Sequence, residues 1–351
     1  MEQTLCIGSH TARIPLIQGG MGVGISLGNL AGAVAKEGGV GIISAAQIGY
    51  RQEGFESHPV ESNLKAMEEE LKKAREIAPD GVIGFNIMVA LDHYKEYVQK
   101  AVEIGADLII SGAGLPVDLP KYAQGGNTAL VPIVSSARAA KTIMRYWQKK
   151  YQYKPDAVVI EGPFAGGHLG FSEEDIEFYN QNSYDEEVHK IQDIVKSFEE
   201  VYDSHIPVAL AGGLDSKEAV SHAFDLGVDA VQVATRFITT HECDASETYK
   251  RAYLNIKDED IRIVKSPVGM PGRALNNTFI KEVEKQGRIM PDRCLRCLEH
   301  CDRANIPYCI SSALIHAAKG DLDKGLLFIG AHGTGRKELE SVKEVITSLL
   351  G

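Results

Sequence analysis

No stretch of this sequence is apolar over anything near the ~20 residues that a membrane-crossing helix requires. The first eight residues, Met-Glu-Gln-Thr-Leu-Cys-Ile-Gly, lack the basic region and apolar core of a secretory leader. A cytoplasmic protein with no membrane partner is therefore expected. Positive charge is in short supply, with 37 Lys and Arg against 48 Asp and Glu and a net charge of −11. A nucleic-acid surface needs a basic stripe, so nucleic acid is excluded as a partner. Cysteine is sparse, at six residues. In a reducing compartment these do not make a disulfide framework. Four of the six nevertheless fall between positions 294 and 309.

What is present is an alternation. Short apolar segments are expected as strands at Ile14–Gln18, Gly41–Ser44, Val82–Asn86, Leu108–Ser111, Ala129–Val134, Ala157–Ile160, Pro207–Ala211 and Ala230–Ala234. Their mostly apolar character, without strict alternation, suits a parallel sheet covered on both faces. Helical patterns lie between them, at Gly28–Lys36, Glu61–Ile77, His93–Ile104, Ala137–Lys150, Tyr184–Asp203 and Lys217–Leu226, with a weak one at Asp118–Gln124. The segments Glu103-Ile-Gly105-Ala-Asp107 and Asp225-Leu-Gly227-Val-Asp229 echo each other, each joining a helix to an apolar strand. Glycine at such a join can end a helix in the left-handed conformation. Eight repeats favour a TIM (β/α)8 barrel over a doubly wound sheet, whose first turn would carry Gly-x-Gly-x-x-Gly. The barrel is expected over residues 1–237. A smaller helical appendage with the cysteine cluster is expected over 238–330. Residues 331–351 end in an amphipathic helix, Lys337–Leu350, that returns to the barrel.

The loops after the strands are rich in small residues, and all lie at the end where such barrels build active sites. They are Gln18-Gly-Gly-Met-Gly22, Asn86-Ile-Met, Ser111-Gly-Ala-Gly114, Ser135-Ser136, Ala165-Gly-Gly-His168, Ala211-Gly-Gly213 and Ala234-Thr-Arg-Phe237. The last two follow strands seven and eight, where barrels commonly hold phosphate on backbone N–H groups. His168 stands in the glycine-dense run Glu161-Gly-Pro-Phe-Ala-Gly-Gly-His168-Leu-Gly170. An imidazole there can move protons near neutral pH. Gly330-Ala-His-Gly-Thr-Gly335 is read as a connector.

Four of these elements together resemble the nitronate monooxygenase (2-nitropropane dioxygenase) family, which includes FMN-dependent enoyl-ACP reductases. They are Gln18–Gly22, Glu161–Gly170, Ala211–Leu214 and Gln232–Phe237, and the likeness spans about residues 10 to 240. The resemblance implies a TIM barrel that binds FMN non-covalently, under a helical second domain. It implies that Gly20, Met21 and Gly22 line the flavin, that Asn86 faces it, and that Ser135, Gly166 and Gly167 lie along it. Gly212, Gly213, Ala234 and Thr235 would cradle its phosphate, and His168 would be the catalytic base or proton relay. The implied activity is oxidation of alkyl nitronates with O2. The alternatives are an NAD(P)H-dependent ene reductase acting on enoyl thioesters, and a non-catalytic flavin- or metal-binding subunit. His168 argues against the last. The substrate is a small molecule, NAD(P)H is the partner under the ene-reductase reading, and a homodimer stays open.

Cys294, Cys297, Cys301 and Cys309 have the donor set for zinc or an iron–sulfur cluster, with His300 and His316 as further ligands. The other reading is four thiols packed in a helical lid, since free cysteine behaves as a small hydrophobe. No cysteine lies in the strand-end loops, so thiol catalysis is not expected.

Overall fold

The computed structural model describes residues 4–290 and 293–351. Eight parallel strands close into a barrel: Leu16–Gln18, Val40–Ser44, Val82–Asn86, Leu108–Ser111, Ala129–Val134, Val158–Glu161, Val208–Ala211 and Ala230–Val233. They follow one another in chain order around the barrel, and the eighth pairs with the first through Val231 and Leu16. This is the (β/α)8 barrel expected from the repeated pattern, with strand ends within two residues of those read from the sequence.

Side chains alternate between two cores. Ile17, Ile42, Ile110, Val131 and Val159 fill the barrel interior. Leu16, Ile43, Ile109, Val158 and Ile160 pack outward against the helices. Full burial of each such side chain is worth roughly 1.5–3 kcal/mol, so both faces of every strand must be apolar. Serine caps set five of the helix starts, two of them in the barrel's outer ring after strands five and seven. Ser136 Oγ accepts from Ala139 N–H ahead of helix Ala137–Tyr151, and Ser216 Oγ accepts from Ala219 N–H ahead of helix Lys217–Asp225. The sequence echo has a structural meaning. Asp107 accepts the amide of Ile83 at 2.7 Å, and Asp229 accepts that of Val208 at 2.8 Å. Each aspartate satisfies the first free N–H of the preceding strand and so stitches neighbouring strands together at the bottom of the barrel.

An N-terminal hairpin, Leu5–Ile7 with His10–Ala12, buries Leu5 and Ile7 against the interior core. The last helix, Val342–Leu350, buries Val345 and Leu349 in the outer core and touches helices Gly28–Glu37 and Lys217–Asp225. It packs on the outer ring and starts five residues later than Lys337. Ser341 and Glu344 form a capping box that fixes that start.

The appendage is not helical throughout. Strands Ile261–Lys265 and Pro271–Leu275 form an antiparallel hairpin, and the short strand Gly167–His168 adds to its edge. The glycine loop of the sixth barrel strand is thereby drawn into a sheet with residues a hundred positions away. Helices Glu247–Arg251, Thr278–Gln286 and Ile310–Lys319 complete the appendage. No helix among the described residues is long and apolar enough to cross a membrane.

Candidate active site

The loops at the C-terminal ends of the strands surround one cavity of about 240 Å³, roofed by the appendage. Gly20, Met21, Gly22, Asn86, Gly166, Gly167, His168, Gly212, Gly213, Ala234 and Thr235 all line it. Ser135 does not. It stands at the end of the fifth strand against Gly170, where a Cβ on Gly170 would come within 2.5 Å of its hydroxyl. Its carbonyl accepts from the Tyr184 hydroxyl.

The two loops after strands seven and eight form one cradle. Gly212 and Gly213 have φ of +99° and +77°, which only glycine adopts cheaply. A Cβ on Gly213 would lie 3.0 Å from that of Phe164. Among the described residues, no acceptor takes the amide protons of Gly212 or Gly213. Thr235 Oγ1 accepts from Gly330 N–H at 3.1 Å, so the segment read as a connector closes over this cradle. Its His332 stacks on Phe164 with ring centres 6.1 Å apart.

His168 Nε2 lies 2.7 Å from Ser266 Oγ. Ser266 also accepts the Val268 amide at 3.3 Å. That amide occupies one of the two lone pairs of the serine oxygen and leaves the hydroxyl proton free to point at the imidazole. With the hydroxyl so turned, Nε2 accepts and Nδ1 carries the ring proton, a tautomer assigned and not observed. The Phe328 ring packs edge-on at 5.0 Å. Burial pushes the imidazole down to about 4, so it is neutral over the physiological range.

The loop that carries His168 is held from behind by Arg273. This side chain is 4% exposed, and its guanidinium donates to the carbonyls of Pro163 at 2.8 Å and Ala165 at 2.5 Å. No carboxylate lies within ion-pair distance among the described residues, and burial lowers its pKa to about 10. At the cavity floor stand two polar side chains that sequence reasoning left without a role, Glu161 and Gln232. Burial pushes the Glu161 carboxyl up to about 7. Among the described residues, Gln232 Oε1 is buried with no hydrogen-bond partner. Both stood inside the quoted motifs, but an apolar strand ending in one polar residue gives no sign of which way it points. Phe328 and Leu314 reach the cavity from the appendage, Ser266 meets it through His168, and none of the three had a local signal.

The four clustered cysteines lie apart from this cavity. Cys294 is exposed, whereas Cys297 and Cys301 pack on the apolar cluster around Phe279 and Tyr308. Leu298 pairs with Leu91 and the Cys297 carbonyl accepts the Asp92 amide, which ties the segment to the loop after the third strand. Among the described residues, no three His, Cys, Asp or Glu side chains gather to hold a metal.

Comparison with known proteins agrees with this architecture. The family model for nitronate monooxygenase matches residues 3–351. A probable nitronate monooxygenase of Staphylococcus aureus is 33% identical over 137 residues, 39% of this chain and 36% of that protein. The match thus spans just over a third of that relative's length. FabK from Thermotoga maritima superposes with a TM-score of 0.72 at 24% identity, covering 97% of this chain and 92% of its own. Nitroalkane oxidase from Streptomyces ansochromogenes superposes at 0.69 and 19% identity, covering 96% and 94%. At those identities the two structures establish the fold alone. The family match runs through every barrel strand, the appendage and the final helix, and the chain therefore belongs to the nitronate monooxygenase family.

Proposed function

We propose that the protein holds FMN in the cavity and oxidises alkyl nitronates with O2. Bound there, FMN would supply the electron transfer that no side chain can perform. The residues fit such a group. The unclaimed amides of Gly212 and Gly213 and the threonine beside them suit a phosphate, and the small residues Gly20, Gly22 and Gly167 leave room for a flat ring. An orphaned amide oxygen at the floor calls for a donor from a ligand.

The observation that carries the substrate reading is the His168–Ser266 pair. A neutral imidazole whose Nε2 is occupied by a serine hydroxyl presents Nδ1–H as a hydrogen-bond donor. Such a donor suits the oxygens of an anion already formed. A base for a neutral nitroalkane would need a free lone pair, which here requires breaking the serine bond first. The rest of the cavity agrees. Of the two carboxyls that line it, Glu161 and Asp215, that of Glu161 is raised toward neutrality, and among the described residues the Arg273 guanidinium behind the wall has no counter-charge. Both features lower the cost of admitting a negative charge.

The test is anaerobic mixing of the yellow protein with propyl-2-nitronate, 2-nitropropane, NADH and NADPH, following flavin absorbance. Rapid bleaching by the nitronate, with slower bleaching by the nitroalkane, is the expected result. Bleaching by NADH or NADPH but not by nitronate would replace this reading with the ene-reductase one.

A further inference from the structure

Two helices on one side of the barrel carry opposite charge. Helix Ala137–Tyr151 holds Arg138, Lys141, Arg145, Lys149 and Lys150 and no acidic residue. Spacings of three, four and four set Arg138, Lys141, Arg145 and Lys149 in one line about 16 Å long. All four are exposed. The helix's one ion pair among the described residues, Lys150 with Asp118 at 3.2 Å, lies beside that line. A shallow groove runs along it, lined by Thr142, Arg145, Tyr146, Lys149 and Lys150.

Helix Glu173–Gln181 is the reverse. It holds Glu173, Glu174, Asp175 and Glu177, has no basic residue, and buries only Ile176. Asp175 is engaged in the capping box with Ser172, and Glu177 accepts from the Gln181 amide. None of Glu173, Glu174 and Glu177 meets a cation among the described residues. Glu174, Glu177 and Phe178 share one face of this helix. The Phe178 ring is 57% exposed, so an aromatic side chain stands in the open among the carboxylates. The next helix, Asp185–Tyr202, packs on Ala137–Tyr151, with Glu187 accepting the Ala137 amide at 2.8 Å. The basic line and the acidic helix are thus neighbours on one face of the molecule.

At a net charge of −11, two copies of this chain repel in most orientations. The orientation that lays basic line on acidic helix is attractive, and charge complementarity of this kind fixes the register of an interface. Because both patches belong to one face, a two-fold axis satisfies both contacts at once. We propose that two copies of this chain pair through this face, the line Arg138–Lys149 of each meeting helix Glu173–Gln181 of the other, with Phe178 seated in the groove beside Tyr146. The pairing does not depend on what the cavity binds.

The test is sedimentation velocity of the full-length chain as purified, at ~50 mM and ~500 mM NaCl. A pair is expected at low salt, with a dissociation constant that rises ~10-fold or more at high salt as the charges are screened. Phe178→Ser should weaken it ~30-fold, the loss of one aromatic anchor. Arg145→Glu with Lys149→Glu in one protein, and Glu174→Lys with Glu177→Lys in another, should each sediment as a single chain. Mixed in equal amounts, these two proteins should pair with each other, because every reversed patch then meets its complement. All five positions are exposed, so the variants should melt with wild type, which calorimetry checks. A wild type that sediments as a single chain at both salt concentrations, a pair that the reversals leave intact, or reversed proteins that stay apart when mixed would each overturn the inference.

Discussion

Asp244 ties the appendage to the first loop of the barrel, and its removal has a calculable cost. Its carboxylate caps helix Gly28–Glu37 from more than two hundred residues away. Oδ2 accepts the amides of Leu27 and Leu30, both at 3.0 Å, and Oδ1 accepts that of Asn29 at 3.3 Å. Lys73 Nζ stands 3.7 Å from Oδ1, and the side chain is almost wholly buried. The helix has no cap of its own, because the residue before it is Leu27. Losing a helix cap costs ~1–2 kcal/mol, and buried amides left unpaired add ~1 kcal/mol or more. Asp244→Ala should therefore destabilise by ~3 kcal/mol. At about 2.1 cal/mol/K per residue, unfolding this chain carries roughly 0.7 kcal/mol/K of entropy, so the melting temperature should fall ~4 °C. Asp244→Asn keeps one oxygen for Leu27 and Leu30 but turns an NH2 toward the Asn29 amide and loses the Lys73 charge. A fall of ~2 °C is expected. The Asp244 amide donates to the Ile25 carbonyl in the loop that carries Met21, so flavin affinity should drop with stability. Calorimetry of the two variants checks the magnitudes. An Asp244→Ala protein that melts within ~1 °C of wild type would refute the capping argument.

His168→Asn should keep FMN bound and slow flavin reduction by preformed nitronate ~10-fold in stopped-flow measurements, about one hydrogen bond to a charged group, with no larger loss on neutral 2-nitropropane. Gly213→Val forces a branched side chain into φ +77° against Phe164 and should yield protein without flavin, measured as the A450 to A280 ratio after purification. Normal flavin content would move the phosphate site elsewhere. At the barrel bottom, burial lowers the His205 pKa, but the hydrogen bonds and charges of Asp229 and Glu199 outweigh it, and the net shift is upward. A raised folded-state pKa stabilises fully below the unfolded value near 6.5 and stops doing so as pH rises through the folded value. The melting difference between wild type and His205→Gln should therefore be larger at pH 5.5 than at pH 9. A difference that does not change with pH would mean that the ion pairs of His205 add nothing.

The barrel itself was legible because its signals are local. Each apolar strand, each serine before a helix and each Gly-x-Asp join acts within a few residues, so composition and spacing alone set eight strands and the end where their glycines collect. The final helix was visible through its apolar period, although the capping box at Ser341 moved its start. The hairpin Ile261–Lys265 and Pro271–Leu275 was not visible, since its stability comes partly from the edge strand at His168 and only the folded chain brings the two together. Eleven of the residues named from the sequence line one cavity. Ser135 was the exception, because a residue one step past a strand end points into the mouth or against the next loop according to how that loop packs. Closure of the barrel set the rest. It placed Glu161 and Gln232 in one row across Ala211, brought Ser266 to His168 across 98 residues, and laid Asp244 on the start of a helix that lacks its own cap. None of these pairs is near in sequence. The first follows from strand register, and the other two from buried polar atoms finding partners once water is excluded, a requirement that arises only when the chain has folded.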